Sequence, residues 1–453
     1  MDLLRQPMQA IREAQNARLV EMLGLCARGH DFYRRRWARA GVDVTAVRSV
    51  DQLETLPLTS KRDLMDDPEA FRLRVADLPL HERALWNVVH TTGSTGSPTP
   101  VYITTHDYEA NLFQCRRAAD IAGLVETDTI ANLFPLTPAA MGSFVRAAEN
   151  AYAIGAAVVA GLTGAPHGRF GVHRSLEEAV TLVERRRATV LWGVPSFLRR
   201  VLVRAHETGA DFRSVRMCAL TGEATTPGMR EDMRARLRAL GVERPIMFDR
   251  YGSTEGGALA QCREEGDWHN PAPELLYHEV VDPDTGRRVP DGERGVLALT
   301  HLDRRGTVLL RYVVGDVLAI THEPCPHCGR HGDRLVGPVI RTKDLMKVKG
   351  MLMSPDQLQE AIRLVAGVDE FQVVVTRQDP ADPYSMDELV VRVATRRGDV
   401  ARLTDELVTA AATATGVRPR VELTGANDIY DPSRHAKAQR FVDRRSGAAG
   451  AGE

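Results

Sequence analysis

His90-Thr91-Thr92-Gly93-Ser94-Thr95-Gly96-Ser97-Pro98-Thr99-Pro100 packs glycines and hydroxyls into one short loop directly after the apolar pair Val88-Val89. Glycines let backbone N–H groups converge on phosphate oxygens, and Ser/Thr hydroxyls add donors without bulk. The loop lacks the Gly-Lys-[Ser/Thr] ending of the Walker P-loop, so that class of NTPase is not supported. Taken alone, such a loop is more often a plain turn than a nucleotide site. What surrounds it decides the reading.

From about residue 85, short apolar runs alternate with helical patterns. The strand candidates are Val88-Val89, Thr129 to Leu133, Ala156 to Val159, Val190 to Trp192 and Met217 to Leu220; helical spacing fills 107–123, 175–187, 196–208 and 227–240. That alternation predicts an α/β fold with a mostly parallel, helix-covered sheet. Upstream, residues 8–40 read as amphipathic helices. Downstream, Tyr277 to Val281, Gly295 to Leu299 and Val308 to Tyr312 are joined by turns such as Asp282-Pro283-Asp284-Thr285-Gly286, which predicts an antiparallel β subdomain. A large N-terminal domain over 1–342 is therefore expected, followed by a small mobile α+β domain over 343–443. The latter has helices at 355–366 and 399–415, strands at 371–376, 388–395 and 418–424, and a Pro/Asp-rich turn from Gln378 to Met386. Residues 444–453 have nothing to bury and are expected to be a disordered tail.

Composition sets limits on function. The chain has 453 residues, 59 Lys+Arg against 60 Asp+Glu, and a formal net charge of -1. That balance gives no broad field for holding nucleic acid, although a small anion can still be bound locally. The start, Met1-Asp2-Leu3-Leu4-Arg5-Gln6-Pro7, lacks the basic segment and apolar run of a secretory signal, so a cytoplasmic protein is expected. The longest low-polarity stretch, Ala151 to Ala165, is shorter than the ~20 residues of a membrane span and reads as a buried strand with its turn. Cys26, Cys115 and Cys218 are expected to be core thiols rather than nucleophiles.

The loop at 91–96 does not stand alone. It resembles the phosphate-loop signature of the acyl-adenylate-forming superfamily, which includes acyl-CoA synthetases, peptide-synthetase adenylation domains and firefly luciferase. Further blocks follow in the superfamily's order: Leu220-Thr221-Gly222-Glu223-Ala224, Asp249-Arg250-Tyr251-Gly252-Ser253-Thr254-Glu255, Arg311-Tyr312-Val313-Val314-Gly315-Asp316, Arg341 to Gly350, and Ser433-Arg434-His435-Ala436-Lys437. The fourth block departs from the pattern at its two valines. Within the superfamily the chain is most similar to phenylacetate-CoA ligases, on Thr99, Cys325-Pro326-His327-Cys328-Gly329-Arg330 and Lys437 to Asp443.

The resemblance implies an enzyme, an AMP-forming acyl- or aryl-CoA ligase. It would join a carboxylic acid, expected to be aromatic, to the α-phosphorus of ATP, release pyrophosphate and pass the acyl group to coenzyme A. An amine, a carrier-protein thiol or a non-carboxylate oxyanion such as nitrite stays open as an alternative reactant. Thr91, Thr92, Gly93, Ser94, Thr95 and Gly96 would hold the β and γ phosphates, and Thr254 the α-phosphate. Glu255 would supply a hard oxygen ligand to Mg²⁺. Gly222, Glu223 and Gly252 flank the nucleotide, Tyr251 offers adenine a ring, Asp316 accepts the ribose hydroxyls, and Arg341 lies near ribose or phosphate. Lys437 would bridge carboxylate and α-phosphate as charge builds. Lys343 is the expected pivot of the small domain, and Phe134, Leu136, Met141 and Trp192 border the acid. The small-molecule substrates are the expected partners, no membrane is expected, and a homodimer is compatible with the sequence.

Cys325 and Cys328 have the Cys-x2-Cys spacing that lets two thiolates chelate one ion. Cys262 and His269 would complete a closed, structural zinc site; His327 and His331 are rival fourth ligands.

Overall fold

The computed structural model describes residues 2–91, 99–135, 142–163, 174–222, 227–341, 346–349, 351–353, 355–368, 370–382, 384–395, 398–429 and 440–445. Helices α1 (Met8–Gly29), α2 (Asp31–Ala40), α3 (Lys61–Asp66) and α4 (Leu80–Arg83) lead into an antiparallel hairpin, β1 (Leu85–His90) with β2 (Pro100–Thr104). Helix α5 (Thr105–Ala122) starts in a capping box in which Thr104 and Asp107 satisfy each other's backbone N–H, and it stops at Gly123 in the left-handed region.

A five-stranded parallel sheet follows: β3 (Thr129–Asn132), β4 (Ala157–Ala160), β5 (Val190–Gly193), β6 (Met217–Leu220) and β7 (Ile246–Asp249), in the order β4-β3-β5-β6-β7. Its helices are α6 (Gly142–Ile154), α7 (Leu176–Arg186), α8 (Pro195–Thr208) and α9 (Pro227–Ala239). Period-2 alternation sends Leu191 and Met247 into one core with α7, α8 and α9. It sends Trp192 and Phe248 into another with Ala118, Ala119, Ala147 and Ala151 of α5 and α6. The small alanines let those two helices lie close against the sheet.

The antiparallel sheet comprises β8 (Tyr251–Ser253), β9 (Gly257–Gln261), β10 (Trp268–His269), β11 (Leu276–Val281), β12 (Arg294–His301), β13 (Tyr312–Thr321) and β14 (Arg334–Arg341), in the order β11-β12-β13-β14-β10-β9-β8. Beyond it lie a hairpin of β15 (Met346–Val348) and β16 (Met351–Met353), and a four-stranded sheet ordered β19-β18-β17-β20. The strands of that sheet are β17 (Glu370–Arg377), β18 (Asp387–Ala394), β19 (Arg420–Leu423) and β20 (Phe441–Asp443). Helices α10 (Pro355–Arg363) and α11 (Val400–Thr415) share its core, and α12 (Ala426–Ile429) follows β19. No described helix is long and apolar enough to cross a membrane.

The α/β class with its antiparallel subdomain is as expected, and several details differ. Val88-Val89 belongs to the β1–β2 hairpin instead of the parallel sheet. Ala151 to Ile154 ends α6, and β4 after it is a mostly exposed edge strand, not a buried one. Val308 to Arg311 is buried loop, with the strand beginning only at Tyr312. Arg311 has a left-handed φ of 48° there, because its guanidinium turns inward onto buried Glu279 (2.8 Å) and the carbonyls of Leu56 and Gly286. At the far end, Arg444 N–H donates to the Val375 carbonyl and Arg445 pairs with Asp387 and Asp443, so order reaches residue 445.

Candidate active site

The C-terminal ends of β5, β6 and β7 converge on the turn into β8, the edge where ligands of open parallel sheets bind. Gly222, just past β6, has φ 90°, and a Cβ there would lie 3.2 Å from Phe134, so the aromatic wall and the backbone nearly touch. Gly252 pairs with Ala258 so closely that a Cβ would collide with the Gly257 carbonyl. Both positions need glycine for space, and Gly222 also for its φ.

Tyr251 presents its hydroxyl to Asp316, donating to Oδ2 at 2.7 Å, and its ring lies 5.6 Å from that of Trp268. Asp316 is buried on β13, and its backbone is in register with that of Arg341 across the β13–β14 ladder. Two residues separated by 65 in sequence are thus joined at one edge. Thr254 stands beside the first residue of α6, 3.8 Å from where a Cβ of Gly142 would be.

Glu255 is buried and held at two points. The Tyr312 hydroxyl donates to its Oε1 at 3.1 Å, and His301 Nε2 lies 2.8 Å from its carbonyl. The Leu309 N–H donates to His301 Nδ1, which leaves Nε2 as the protonated nitrogen and donor to Glu255. Burial drives the His301 imidazole down to about 3, so it is neutral. Burial together with the Glu255 charge pushes the Tyr312 phenol well up, so it keeps its proton and remains a donor. The sequence reading gave Tyr312 and His301 no role. Tyr312 lies inside a quoted block; His301 carries no local signal.

At the phosphate loop, Thr91 and Thr99 close the base: Thr91 N–H donates to the Thr99 carbonyl at 3.0 Å, and Thr99 N–H to Thr91 Oγ1 at 3.2 Å. Thr92, Gly93, Ser94, Thr95, Gly96, Leu136, Met141, Glu223, Lys343 and Lys437 lie outside the described residues. Phe134 and Trp192 are both buried in the core on the α5–α6 face.

A second cluster sits behind the first. Cys262 follows β9, His269 is on β10, and Cys325 and Cys328 belong to the turn before β14; their four ligand atoms lie within 4.8 Å of one another. His269 Nε2 is 3.3 Å from Cys262 Sγ and 3.8 Å from Cys328 Sγ, and Cys262 Sγ is 3.7 Å from Cys325 Sγ. The knuckle is closed by Gly329 N–H donating to the Cys325 carbonyl, with Gly329 at φ 67°. His327 and His331 are not in this group. Burial, then Arg334 and Arg330, lower His269 to about 4, so its imidazole is neutral, as a metal ligand requires. Burial and the neighbouring Cys328 and Cys325 push the Cys262 thiol up to about 12. Three thiolates cannot share this space unless a cation joins them. The donor set and closed geometry suit a tetrahedral ion with no open position. Cys26, Cys115 and Cys218 are buried thiols, and burial raises all three, Cys218 to about 12.

The carboxylates of Asp316 and Glu255 thus stand beyond the end of the parallel sheet, with the rings of Tyr251 and Trp268 beside Asp316. Residues 34–301 match the model of a family described as AMP-binding enzyme. Phenylacetate-coenzyme A ligase of Thermus thermophilus is 28% identical over 422 residues, covering 92% of this chain and 89% of that protein. A crystal structure of 2-hydroxyisobutyryl-CoA ligase with 2-HIB-AMP and CoA, in the thioesterification state, shares the fold. Its TM-score is 0.80 at 24% identity, over 97% of this chain and 90% of that one. In a postadenylation state with 2-HIB-AMP the same ligase gives 0.61 at 25% identity, over 96% and 89%. With its family model spanning more than half of its length, this chain belongs to the AMP-binding enzyme family.

Proposed function

We propose that the chain is an ATP-dependent acid–thiol ligase that forms an acyl-adenylate from a carboxylic acid, expected to be aromatic, and transfers the acyl group to coenzyme A. The observation that carries the reading is the joint placement of Tyr251, Glu255 and Asp316 at the end of the parallel sheet. Asp316 has the two acceptor oxygens a ribose diol needs, and Tyr251 an adjoining aromatic face. Glu255, with Oε1 fixed by Tyr312, would contribute its carboxylate to Mg²⁺, which neutralises phosphate charge when bound. The loop closed by Thr91 and Thr99 would take the β and γ phosphates through residues 91–96, Thr254 the α-phosphate, and Arg341 the ribose or phosphate. Gly222 and Gly252 would give the nucleotide room, with Glu223 beside adenine. Phe134, Leu136, Met141 and Trp192 would wall the acid.

The half-reactions need different arrangements of 1–342 and 343–443, with Lys343 as the pivot and Lys437 serving adenylation only. One neighbouring ligase is known in both a thioesterification state and a postadenylation state. The Cys262, His269, Cys325 and Cys328 cluster would hold a structural Zn²⁺. Six free cysteines suit a reducing, cytoplasmic setting.

Pyrophosphate release against a panel of carboxylic acids, with and without coenzyme A, tests the reading. Acid-dependent release without coenzyme A, accelerated when it is added, is expected; release indifferent to every acid contradicts it. Lys437→Ala should lower adenylate formation by a hundredfold or more while sparing thioester formation from supplied adenylate, as separate assays of the two half-reactions would show. Equal loss in both would remove the assigned role.

A further inference from the structure

Arg250 sits between the strand β7 and Tyr251, and alternation along the chain separates its surroundings from theirs. Asp249 turns to Arg230 of α9, Tyr251 to Asp316, and Arg250 to the α5–α6 side. Its guanidinium lies over the Trp192 ring, 4.4 Å from the centroid, and the residue is only 9% exposed. Around it stand Cys115 of α5 and Arg146 of α6.

The charges of this pocket do not balance. Arg146 pairs with Glu149 at 3.3 Å and Arg304 faces Asp107 at 3.8 Å. Arg250 forms no ion pair with any described residue, and its Nη2 is buried without a hydrogen-bond partner. Asn150 Oδ1 and Arg304 Nε are likewise unsatisfied. Asn150 Nδ2 and Arg146 Nη1 both reach Cys115 Sγ, so these groups cluster around one sulfur. Burial, with Arg146 adding like-charge repulsion, lowers Arg250 to about 10, still charged at neutral pH. Among the described residues, three guanidiniums against two carboxylates leave one positive charge over. A buried cation without a partner is strongly unfavourable unless an anion completes it. The Trp192 ring lies directly beneath that cation.

We propose that Arg250 is a specificity-determining residue that receives a second carboxylate on the acid, so that a dicarboxylic acid is preferred over its monocarboxylic counterpart. This rests on the acid-adenylating reading, which puts Trp192 in the acid's pocket. The first carboxylate is activated near Thr254, and the second pairs with Nη2 over Trp192.

The test uses matched acids differing by one carboxylate: terephthalate with benzoate, 4-carboxyphenylacetate with phenylacetate, glutarate with butyrate. Pyrophosphate release is measured with the wild-type chain, Arg250→Lys and Arg250→Met. In at least one pair the wild type should favour the diacid tenfold or more in kcat/KM. Arg250→Met should erase or reverse that ratio, and Arg250→Lys restore part of it. Ligand-free Arg250→Met should melt no lower than wild type, because it removes an uncompensated buried charge. A wild-type preference for the monoacid in every pair, or an unchanged ratio in Arg250→Met, overturns the proposal. If no acid releases pyrophosphate, the adenylating reading fails. Thermal shifts then decide this site separately: a diacid that raises the melting temperature of wild type but not of Arg250→Met upholds an anion site, and no shift overturns it.

Discussion

The Glu255 cluster and the Cys262 cluster are both assembled from distant segments, yet they are stabilised in opposite ways. Glu255 is met by protein groups, a protonated Tyr312 hydroxyl on its side chain and a neutral His301 on its carbonyl, so its geometry exists before any ligand arrives. The sulfurs of Cys262, Cys325 and Cys328 face one another and His269, and the Arg330 guanidinium beside Cys328 is a single positive charge against three potential thiolates. The first arrangement is preorganised; the second depends on what fills it. Changes at the Cys/His cluster should therefore appear in stability, and changes around Glu255 in catalysis.

The largest effect is expected at the knuckle. Cys325→Ser should lose metal and lower the melting temperature by roughly 5–10 °C, since metal binding energy is folding energy and serine is a poor ligand for a borderline-soft ion. Folded protein should retain adenylation. Elemental analysis beside calorimetry checks this, and full stability with well under one zinc per wild-type chain would break the contrast.

Next comes Tyr312→Phe, which removes the donor to Glu255 Oε1 and keeps the ring. Hydrogen bonds to charged groups are worth about 1.5–3 kcal/mol, so adenylation should fall roughly tenfold to a hundredfold, with the melting temperature little changed. Pyrophosphate exchange at varied Mg²⁺ reads it; a loss of stability without a loss of rate would place Tyr312 with the structural cluster.

The smallest effect is a pH slope. His301 is held down to about 3 and His30 to about 4, both chiefly by burial. Both are neutral in the folded chain, while the unfolded chain takes up their protons below about pH 6.5. Stability is therefore fully present above that pH and is lost as pH falls toward 4, by up to about 1.4 kcal/mol per unit for each histidine. Denaturant unfolding at pH 7, 6 and 5 should show the fall, and His301→Gln should make it shallower.

Much of this architecture was legible because its signals are local. Cys-x2-Cys spacing announced the knuckle, and the capped helices α5 and α7 declare their starts in Thr104 and Ser175. Ile246–Asp249 went unread as a strand, following directly on Arg244 and Pro245. The Ala-rich α6 was missed because its small residues carry little periodic contrast. Tyr312 with Glu255, and Arg311 with Glu279, meet across 57 and 32 residues, and no periodicity predicts such pairs. Arg250 stood in plain view within a quoted block. Only the absence of an ion-pair partner among the described residues distinguished it.

The central claim is that an acyl-adenylate forms first and is then passed to a thiol. A single-turnover reaction of enzyme, ATP, Mg²⁺ and an accepted acid without coenzyme A, followed by mass spectrometry, tests it most directly. Acyl-AMP should accumulate to about one equivalent of enzyme, and coenzyme A should then convert it to thioester and AMP. Formation of ADP with an acyl phosphate, or of thioester without any adenylate, would contradict the account.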